Sequence, residues 1–300
     1  MNRPLLRYLG GKFLIRKWVI EHFPEHVIYV EPFGGALSVL MEKKRSKIEV
    51  VCDIDDEVTN LYAVLRDKGM VDELKRVLYY TPYSEREFRN AYSPLPASPE
   101  GGGDGAIMVE RARRILIRSW FGYGALKRNM TGFRQYHPGY TKNQCHEFLR
   151  WQKELDRFVE RMRGVIFPME RNALKLFPFY DEERTLWYLD PPYVRVNDES
   201  LNGKRETLYK NDFTDVEHVA LAERVKGLKG MVVLSGYHSE LYRELYAGWK
   251  FFEKKTFTQG GPNKNRQVRV EVIFLNGAAY DGLMKRRGVG EQHNLVMENM

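Results

Sequence analysis

Four consecutive residues, Asp190-Pro191-Pro192-Tyr193, follow an apolar segment that predicts a β-strand. Each proline fixes its φ angle and lacks an N–H group, so the carbonyls of this turn have no competing donors beside them. A carboxylate and a carbonyl so placed can accept both N–H bonds of an exocyclic amino group and expose its nitrogen lone pair to a methyl sulfonium. Tyr193 can stack on a base taken out of its helix. The structural alternative is a rigid turn with an ordinary aspartate.

A glycine turn near the N-terminus forms a second candidate site. Residues 27–33 predict a short buried strand that ends in Glu31-Pro32-Phe33 and is followed by Gly34-Gly35. Adjacent glycines let a ligand approach the backbone closely. The sequence contains neither the G-x-G-x-x-G pattern nor a P-loop, and Glu31 would repel a pyrophosphate. A cationic cofactor rich in hydroxyls, such as S-adenosylmethionine, suits these residues; a plain tight turn is the alternative.

Asp53 belongs to the next predicted strand, residues 48–55. An acidic residue at this place accepts hydrogen bonds from ribose hydroxyls in dinucleotide-binding folds. Open α/β sheets bind ligands at the carboxyl ends of their strands, so we expect Glu31, Asp53 and Asp190 to meet at one edge of the sheet.

A basic segment separates these two sites. Residues 111–150 contain nine lysines and arginines, one acidic residue and seven aromatic residues. Cations that meet phosphates, beside rings that stack on bases, are typical of nucleic-acid binding. The alternative is a solvated basic face over an aromatic core stripe.

The surrounding elements predict an α/β fold that is split by an insertion. Strands and helices alternate up to residue 67, the chain is mostly helical over 68–180, and the alternation then resumes. A Pro- and Gly-rich stretch at 94–105 predicts a flexible loop. The expected organisation is a catalytic, cofactor-binding domain over 1–67 and 181–277, a helical insertion over 68–180 and a loosely ordered tail over 278–300.

Composition narrows the class of protein. The 300 residues are 43% hydrophobic, with a net charge of +8, which excludes a disordered chain and makes an anionic partner plausible. Two cysteines cannot frame a disulfide scaffold or a four-ligand zinc site, and we expect no metal. The sequence has no apolar run of membrane-spanning length and no secretory signal, so a cytoplasmic protein without a membrane partner is expected.

In their order along the chain, these motifs resemble the Dam-type, or D12, class of DNA adenine-N6 methyltransferases, alpha group. The resemblance spans roughly residues 5–276. It rests on six motifs: Arg7-Tyr8-Leu9-Gly10-Gly11-Lys12, Tyr29-Val30-Glu31-Pro32-Phe33-Gly34-Gly35-Ala36, Cys52-Asp53-Ile54-Asp55, Asp190-Pro191-Pro192-Tyr193, Phe213-Thr214 before a helix, and Leu234-Ser235-Gly236-Tyr237. One departure is that the two glycines of the second motif are adjacent here, whereas relatives usually have a residue between them.

The resemblance implies a Rossmann-like S-adenosylmethionine-dependent methyltransferase sheet with a helical target-recognition insertion. In this interpretation Glu31 holds the methionine part of the cofactor, Asp53 binds the ribose, and Tyr8 and Lys12 close the pocket. The implied cofactor-binding residues are Tyr8, Lys12, Glu31, Pro32, Phe33, Gly34, Gly35, Asp53, Ile54 and Asp190. The implied catalytic residues are Asp190, Pro191, Pro192 and Tyr193. The implied DNA-binding residues are Arg7, Arg118, Tyr123, Lys127, Arg128, Asn129 and Arg134.

The expected activity is site-specific methyl transfer from S-adenosylmethionine to adenine N6 in double-stranded DNA, by a monomer that flips its target base. Two alternatives remain open: an RNA base methyltransferase and a DNA-binding protein with an inactive site. A cytosine-N4 methyltransferase is a close third, although serine usually replaces the aspartate there. The recognition sequence is not determined by these motifs, and GATC is one possibility.

Overall fold

The computed structural model describes residues 3–8, 10–95, 104–123, 130–135, 143–194, 213–257 and 268–288. Within these residues, six strands form one sheet in the order β2-β1-β3-β4-β6-β5. The strands are β1 (Ile28–Glu31), β2 (Ile48–Val51), β3 (Thr185–Leu189), β4 (Met231–Gly236), β5 (Lys250–Phe257) and β6 (Val268–Leu275). The first four pair in parallel, whereas β6 is antiparallel to both β4 and β5.

The parallel strands lie in the middle of the molecule. Every residue of β1, β3 and β4 is buried, as expected for parallel strands covered on both faces. In the register, Val30 faces Val50 on one side and Trp187 on the other. These pairings bring the carboxyl ends of β1, β2 and β3 to one edge of the sheet.

Helices cover the sheet and form the insertion. A short 3-10 helix, Lys12–Leu14, precedes the first of them. The α-helices of the described residues are α1 (Arg16–Glu21), α2 (Ser38–Glu42), α3 (Asp56–Arg66), α4 (Lys68–Tyr79), α5 (Glu85–Asn90), α6 (Asp104–Phe121), α7 (Gln144–Gln152), α8 (Leu155–Met162), α9 (Ala173–Tyr180), α10 (Asp215–Lys226), α11 (Glu240–Leu245) and α12 (Gly277–Arg286).

The insertion shares its hydrophobic core with the sheet. One cluster of buried residues includes Tyr29 and Leu186 from the strands together with Leu74, Leu116 and Trp151 from the helices of segment 68–180. The helical segment is therefore packed onto the α/β layers, and the domain boundaries remain a prediction from the sequence.

The structure differs from the sequence analysis at two elements. Residues 250–257, to which the sequence analysis assigns no strand, form β5; its three lysines suit an exposed edge strand. The expectation of a loosely ordered tail from residue 278 is wrong for its first part, because α12 packs Ala279 and Leu283 completely into the core. Residues 289–300 lie outside the described residues, as do residues 96–103 of the loop expected at 94–105.

Candidate active site

Three carboxylates lie around one cavity at the carboxyl edge of the parallel strands. Glu31 is the last residue of β1, Asp53 follows β2, and Asp190 follows β3. The cavity is also lined by all the other predicted cofactor-binding and catalytic residues, namely Tyr8, Lys12, Pro32, Phe33, Gly34, Gly35, Ile54, Pro191, Pro192 and Tyr193. The strand order thus brings together the motifs at residues 31–35 and 190–193, which are far apart in the sequence.

The glycine turn is held by bonds to both neighbouring segments. The N–H of Gly34 donates to the carbonyl of Cys52 at 2.9 Å, and the hydroxyl of Tyr62 donates to the carbonyl of Gly35 at 2.7 Å. A Cβ atom on Gly34 would meet the Tyr62 hydroxyl at 2.8 Å, so this glycine is required by packing inside the protein. Gly35 has a φ of +48°, and a Cβ there would meet only the ring of Tyr8, at 3.6 Å. The open approach expected of both glycines therefore exists at Gly35.

Asp53 organises this turn. Its Oδ2 atom accepts a hydrogen bond from the N–H of Gly35 at 2.7 Å, and its Oδ1 atom accepts one from the N–H of Asp55 at 2.8 Å. Burial raises the pKa of Asp53 to about 6, against the lowering effect of these two bonds. The side chain expected to bind a ribose thus also fixes the backbone of the cofactor turn.

Glu31 is a buried carboxylate beside the cavity, with 3% of its surface exposed. The hydroxyl of Tyr29 donates to its Oε2 atom at 2.8 Å. Burial raises the pKa of Glu31 to about 8, and the negative charge of Asp190 adds to this effect, whereas the Tyr29 bond and Lys43 oppose it. A cationic group in the cavity would stabilise the ionised form, so the residues present fit a cofactor with a positive charge.

Asp190 forms an ion pair with Lys12. The distance from Lys12 Nζ to Asp190 Oδ1 is 2.7 Å, and the lysine and aspartate side chains are 4% and 19% exposed. The same ammonium donates to the carbonyl of Gly10 at 2.7 Å and lies 4.4 Å from the centre of the Tyr193 ring. Burial raises the pKa of Asp190, and Lys12 opposes that rise. The carboxylate is therefore held at the cavity by a cation that stabilises its charged form.

A buried histidine packs against the proline turn, which sequence reasoning did not foresee. His218 of α10 has no exposed surface, and its Nδ1 atom lies 3.1 Å from the Tyr242 hydroxyl. Burial lowers its pKa to about 4, whereas the negative charges of Asp215 and Glu217 and the nearby backbone of Pro192 raise it. Its Nε2 atom has no hydrogen-bond partner among the described residues. His218 is thus a neutral support beneath Pro192.

The segment assigned to the insertion also contributes to the cavity. Arg171, Asn172, Ala173 and Leu174 line it at the start of α9. The Asn172 side chain caps this helix by accepting from the N–H of Leu174 at 2.9 Å. Asn before an apolar helical run is a sequence signal for such a cap, but it does not reveal that the cap faces the cofactor motif.

The predicted DNA-binding residues differ in their surroundings. Arg118 forms an ion pair with Glu57 at 2.5 Å and is only 15% exposed. The guanidinium of Arg7 is largely buried, which lowers its pKa, and its Nη1 atom has no hydrogen-bond partner within the described part of the chain. Lys127, Arg128 and Asn129 lie outside the described residues.

Tyr123 and Arg134 flank the undescribed stretch 124–129. The N–H of Tyr123 donates to the carbonyl of Gly132 at 2.8 Å, and the N–H of Arg134 donates to that of Phe121 at 2.7 Å. The Tyr123 side chain is 46% exposed. These bonds hold the residues on either side of the stretch 124–129 next to each other.

Within the described ranges, no group of three or more His, Cys, Asp or Glu side chains is placed to hold a metal ion. None of the helices in these ranges is both long and apolar enough to cross a membrane.

The sequence is similar to known proteins over most of its length. A family model described as D12 class N6 adenine-specific DNA methyltransferase matches residues 8–259. The proteins named DNA adenine methylase from Haemophilus influenzae and Escherichia coli K12 are 24% and 25% identical to this chain, over 92% and 91% of its length and 94% of their own. The protein of that name from Vibrio cholerae is 25% identical over 91% of this chain and 96% of its own length. Because the family model spans more than half of the sequence, the chain belongs to the D12 class of N6 adenine-specific DNA methyltransferases.

Proposed function

We propose that this enzyme transfers the methyl group of S-adenosylmethionine to N6 of an adenine that is flipped out of double-stranded DNA. The observation that supports this best is the position of Asp190. Its carboxylate, the donor-free Pro191-Pro192 backbone and the Tyr193 ring line the same cavity as Glu31 and Asp53. The proposed base-binding and cofactor-binding groups therefore line one space.

The cofactor supplies an electrophilic methyl group on a positively charged sulfur. We assign Glu31 to the positive end of this molecule, because burial raises the pKa of its carboxyl group to about 8 and a neighbouring cation would stabilise the ionised form. Asp53 is assigned to the ribose, and Tyr8 and Lys12 close the pocket beside Gly35. Pro32, Phe33, Gly34 and Ile54 contribute the remaining walls of the proposed cofactor site.

Asp190 and the Pro191 carbonyl accept the two N–H bonds of the adenine amino group in this proposal. The nitrogen lone pair, otherwise delocalised into the ring, then points toward the methyl group, so the catalytic contribution is geometric and electrostatic. A new N–C bond forms as the S–C bond breaks, and the nitrogen loses one proton. In this proposal the Asp190 carboxylate, which accepts a hydrogen bond from that nitrogen, takes the proton. Tyr193 stacks on the extruded base, at the cost of a few kcal/mol for unstacking it from the duplex.

Duplex DNA is assigned to the side of the molecule that presents Tyr123 and Arg134. Lys127, Arg128 and Asn129 belong to the same stretch of sequence, and Arg7 and Arg118 complete the proposed DNA-binding set. The net charge of +8 favours a polyanionic partner. A monomer acting on DNA in the cytoplasm is part of the proposal, since a palindromic site can be methylated in two visits.

The test is modified-base sequencing of plasmid DNA from a methylation-deficient host that expresses the chain. We expect N6-methyladenine at one short motif, and no modification with the Asp190→Ala variant, which should still bind S-adenosylmethionine in a calorimeter. Unmodified DNA with the wild-type chain would contradict the proposal. Labelled methyl transfer to ribosomal and transfer RNA would then test the RNA alternative, and cofactor binding without transfer to either would indicate an inactive site.

A further inference from the structure

Glu271 lies at the catalytic edge of the sheet although it belongs to an antiparallel strand. In the pairing of β4 with β6, Gly236 faces Val272, so the next pair beyond the end of β4 is Tyr237 and Glu271. Because β6 runs opposite to the parallel strands, its N-terminal half reaches the edge where β3 ends at Asp190. The strand direction thus delivers a fourth carboxylate to this edge, from a part of the sequence that none of the six motifs includes.

Each oxygen of the Glu271 carboxylate accepts a hydrogen bond from a different tyrosine. The hydroxyl of Tyr193 donates to Oε2 at 3.1 Å, and the hydroxyl of Tyr237 donates to Oε1 at 3.1 Å. Burial raises the pKa of Tyr193 well above its usual value and that of Tyr237 to about 12. Both hydroxyls therefore keep their protons at neutral pH, and Glu271 is the acceptor in both bonds.

The same contacts fix the orientation of the Tyr193 ring. The Tyr193 and Tyr237 rings meet edge to face, with centres 4.5 Å apart and planes at 75°. A tyrosine ring rotates about two side-chain bonds, and a hydrogen bond at its far end removes that freedom. Stacking on an extruded base requires a ring that is already in the correct plane, because a small misplacement of a reacting group is costly.

We propose that Glu271 is a positioning residue that holds the Tyr193 ring in the plane on which the target base stacks. This proposal rests on the function proposed above. It assigns to Glu271 no direct contact with the base or the cofactor; the residue acts through Tyr193. It also gives a reason for tyrosine at position 193, since phenylalanine would stack equally well but could not be anchored.

The test is a double-mutant cycle on single-turnover methyl transfer to a short duplex with one target site. Its members are the wild-type protein, Glu271→Met, Tyr193→Phe and the double variant. We expect each single variant to lower the transfer rate by about ten- to a hundredfold, and the double variant to be no slower than the slower single variant. The dissociation constant for S-adenosylmethionine should change by less than about twofold, because Glu271 acts on the base side.

Two further variants separate positioning from folding. Glu253 belongs to the neighbouring strand β5, and its Oε1 atom lies 2.6 Å from Nε2 of His238. Glu253→Met removes this carboxylate and should leave the transfer rate unchanged. Glu271→Gln keeps one acceptor oxygen for a tyrosine hydroxyl, so it should recover most of the lost rate. Should Glu271→Met fail to fold, Tyr193→Phe with a normal melting temperature takes its place, because it removes the same hydrogen bond from the tyrosine side.

A wild-type rate in Glu271→Met, or losses that multiply in the double variant, would overturn the proposal. A lower melting temperature of Glu271→Met with an unchanged rate of methyl transfer would also overturn it. The wild-type protein in the same assay tests the proposed function separately. If it transfers no methyl group, a duplex with 2-aminopurine at the target position still reports base extrusion by fluorescence, and an identical signal in wild type and Glu271→Met would contradict the positioning role.

Discussion

The ammonium of Lys12 lies 2.7 Å from Oδ1 of Asp190, so the N-terminal motif and the Asp190-Pro191-Pro192-Tyr193 turn meet in one ion pair. Burial raises the pKa of Asp190, and Lys12 lowers it. Asp190 works as a hydrogen-bond acceptor in the proposed mechanism, so its active form is the ionised one. Whatever raises its pKa moves the loss of activity in acid to a higher pH.

We therefore predict that Lys12→Met moves the acid limb of the pH–rate profile for methyl transfer to higher pH. The sign follows because removing the cation raises the pKa of Asp190, and more of the protein is protonated at a given pH. At a pH within the acid limb the rate should fall by up to about tenfold for each pH unit by which the limb moves. Lys12→Arg keeps the charge and serves as the control. An unchanged midpoint in Lys12→Met would show that the ion pair does not control the protonation of Asp190.

The second prediction concerns proton release on cofactor binding. The pKa of Glu31 is raised to about 8 by burial, so at pH 7 the side chain is mostly protonated in the free protein. A bound cation lowers that pKa, so binding at pH 7 should release up to about one proton from Glu31. Affinity for S-adenosylmethionine should then rise as the pH increases toward 8 and level off above it.

Calorimetry in buffers of different ionisation enthalpy measures this release, and Glu31→Gln is the matched variant. The variant should lose the proton release that is due to Glu31 and bind about ten- to a hundredfold more weakly. The amino group of the cofactor titrates in the same range, but it does so with both proteins, so the difference between them isolates Glu31. Equal proton release from the two proteins would contradict the assignment of Glu31 to the positive end of the cofactor.

The sequence predicts those parts of the site that are local. Glu31, Asp53 and Asp190 each lie at or just after the end of a strand, and sheet topology then implies that the three carboxylates meet. Contacts between residues that are far apart in the sequence cannot be predicted in this way. The contact of Lys12 with Asp190 and that of Glu271 with Tyr193 depend on which strands become neighbours and in which register. No local pattern encodes either contact.

Charged residues in the fold and in the proposed DNA-binding set also depend on contacts that the local sequence does not predict. Lysines and a glutamate interrupt the apolar pattern of β5, whose strand character comes from pairing with β6. Arg118 has the residue type of a phosphate contact, but α3 places Glu57 beside it. The type of a residue states what it can bind, and only packing determines whether that capacity is already used.

The third prediction distinguishes the two glycines of the cofactor turn. Gly34→Ala places a Cβ atom 2.8 Å from the Tyr62 hydroxyl and 2.9 Å from Cγ1 of Val51, so it should lower the free energy of unfolding by about 1–3 kcal/mol. Gly35→Ala has room for the Cβ atom, and its left-handed φ should cost about 1–2 kcal/mol. Because that Cβ atom would stand beside Tyr8 in the cavity, Gly35→Ala should weaken cofactor binding more than Gly34→Ala does.

Urea unfolding and cofactor calorimetry of the two variants, measured side by side, check this prediction. Each technique reports one of the two effects, so a variant with normal stability and weak binding is distinguished from one that is partly unfolded. If Gly34→Ala were as stable as the wild type, the close packing of Gly34 against Tyr62 and Val51 would not exist in solution.

The fourth prediction concerns the proposed DNA-binding set, in which Arg118 is paired with Glu57 and Arg134 follows the stretch 124–129 in the sequence. Arg118→Met breaks a largely buried ion pair with Glu57 and should lower the free energy of unfolding by about 1–3 kcal/mol. It should leave the dependence of DNA affinity on salt unchanged, because a guanidinium that is already paired releases no counterion from DNA. Arg134→Met should instead reduce the slope of log affinity against log salt concentration by about one, with little effect on stability.

Fluorescence anisotropy of a labelled duplex across a salt series gives the two slopes, and thermal unfolding gives the two stabilities. The comparison is informative because the two substitutions remove the same charge, so any general effect of net charge on affinity is shared. A slope reduced by about one in Arg118→Met, together with a normal melting temperature, would mean that Arg118 leaves Glu57 for a phosphate when DNA binds. In that case the ion pair with Glu57 holds the guanidinium only while DNA is absent, and Arg118 takes the role that its place in the basic segment predicts.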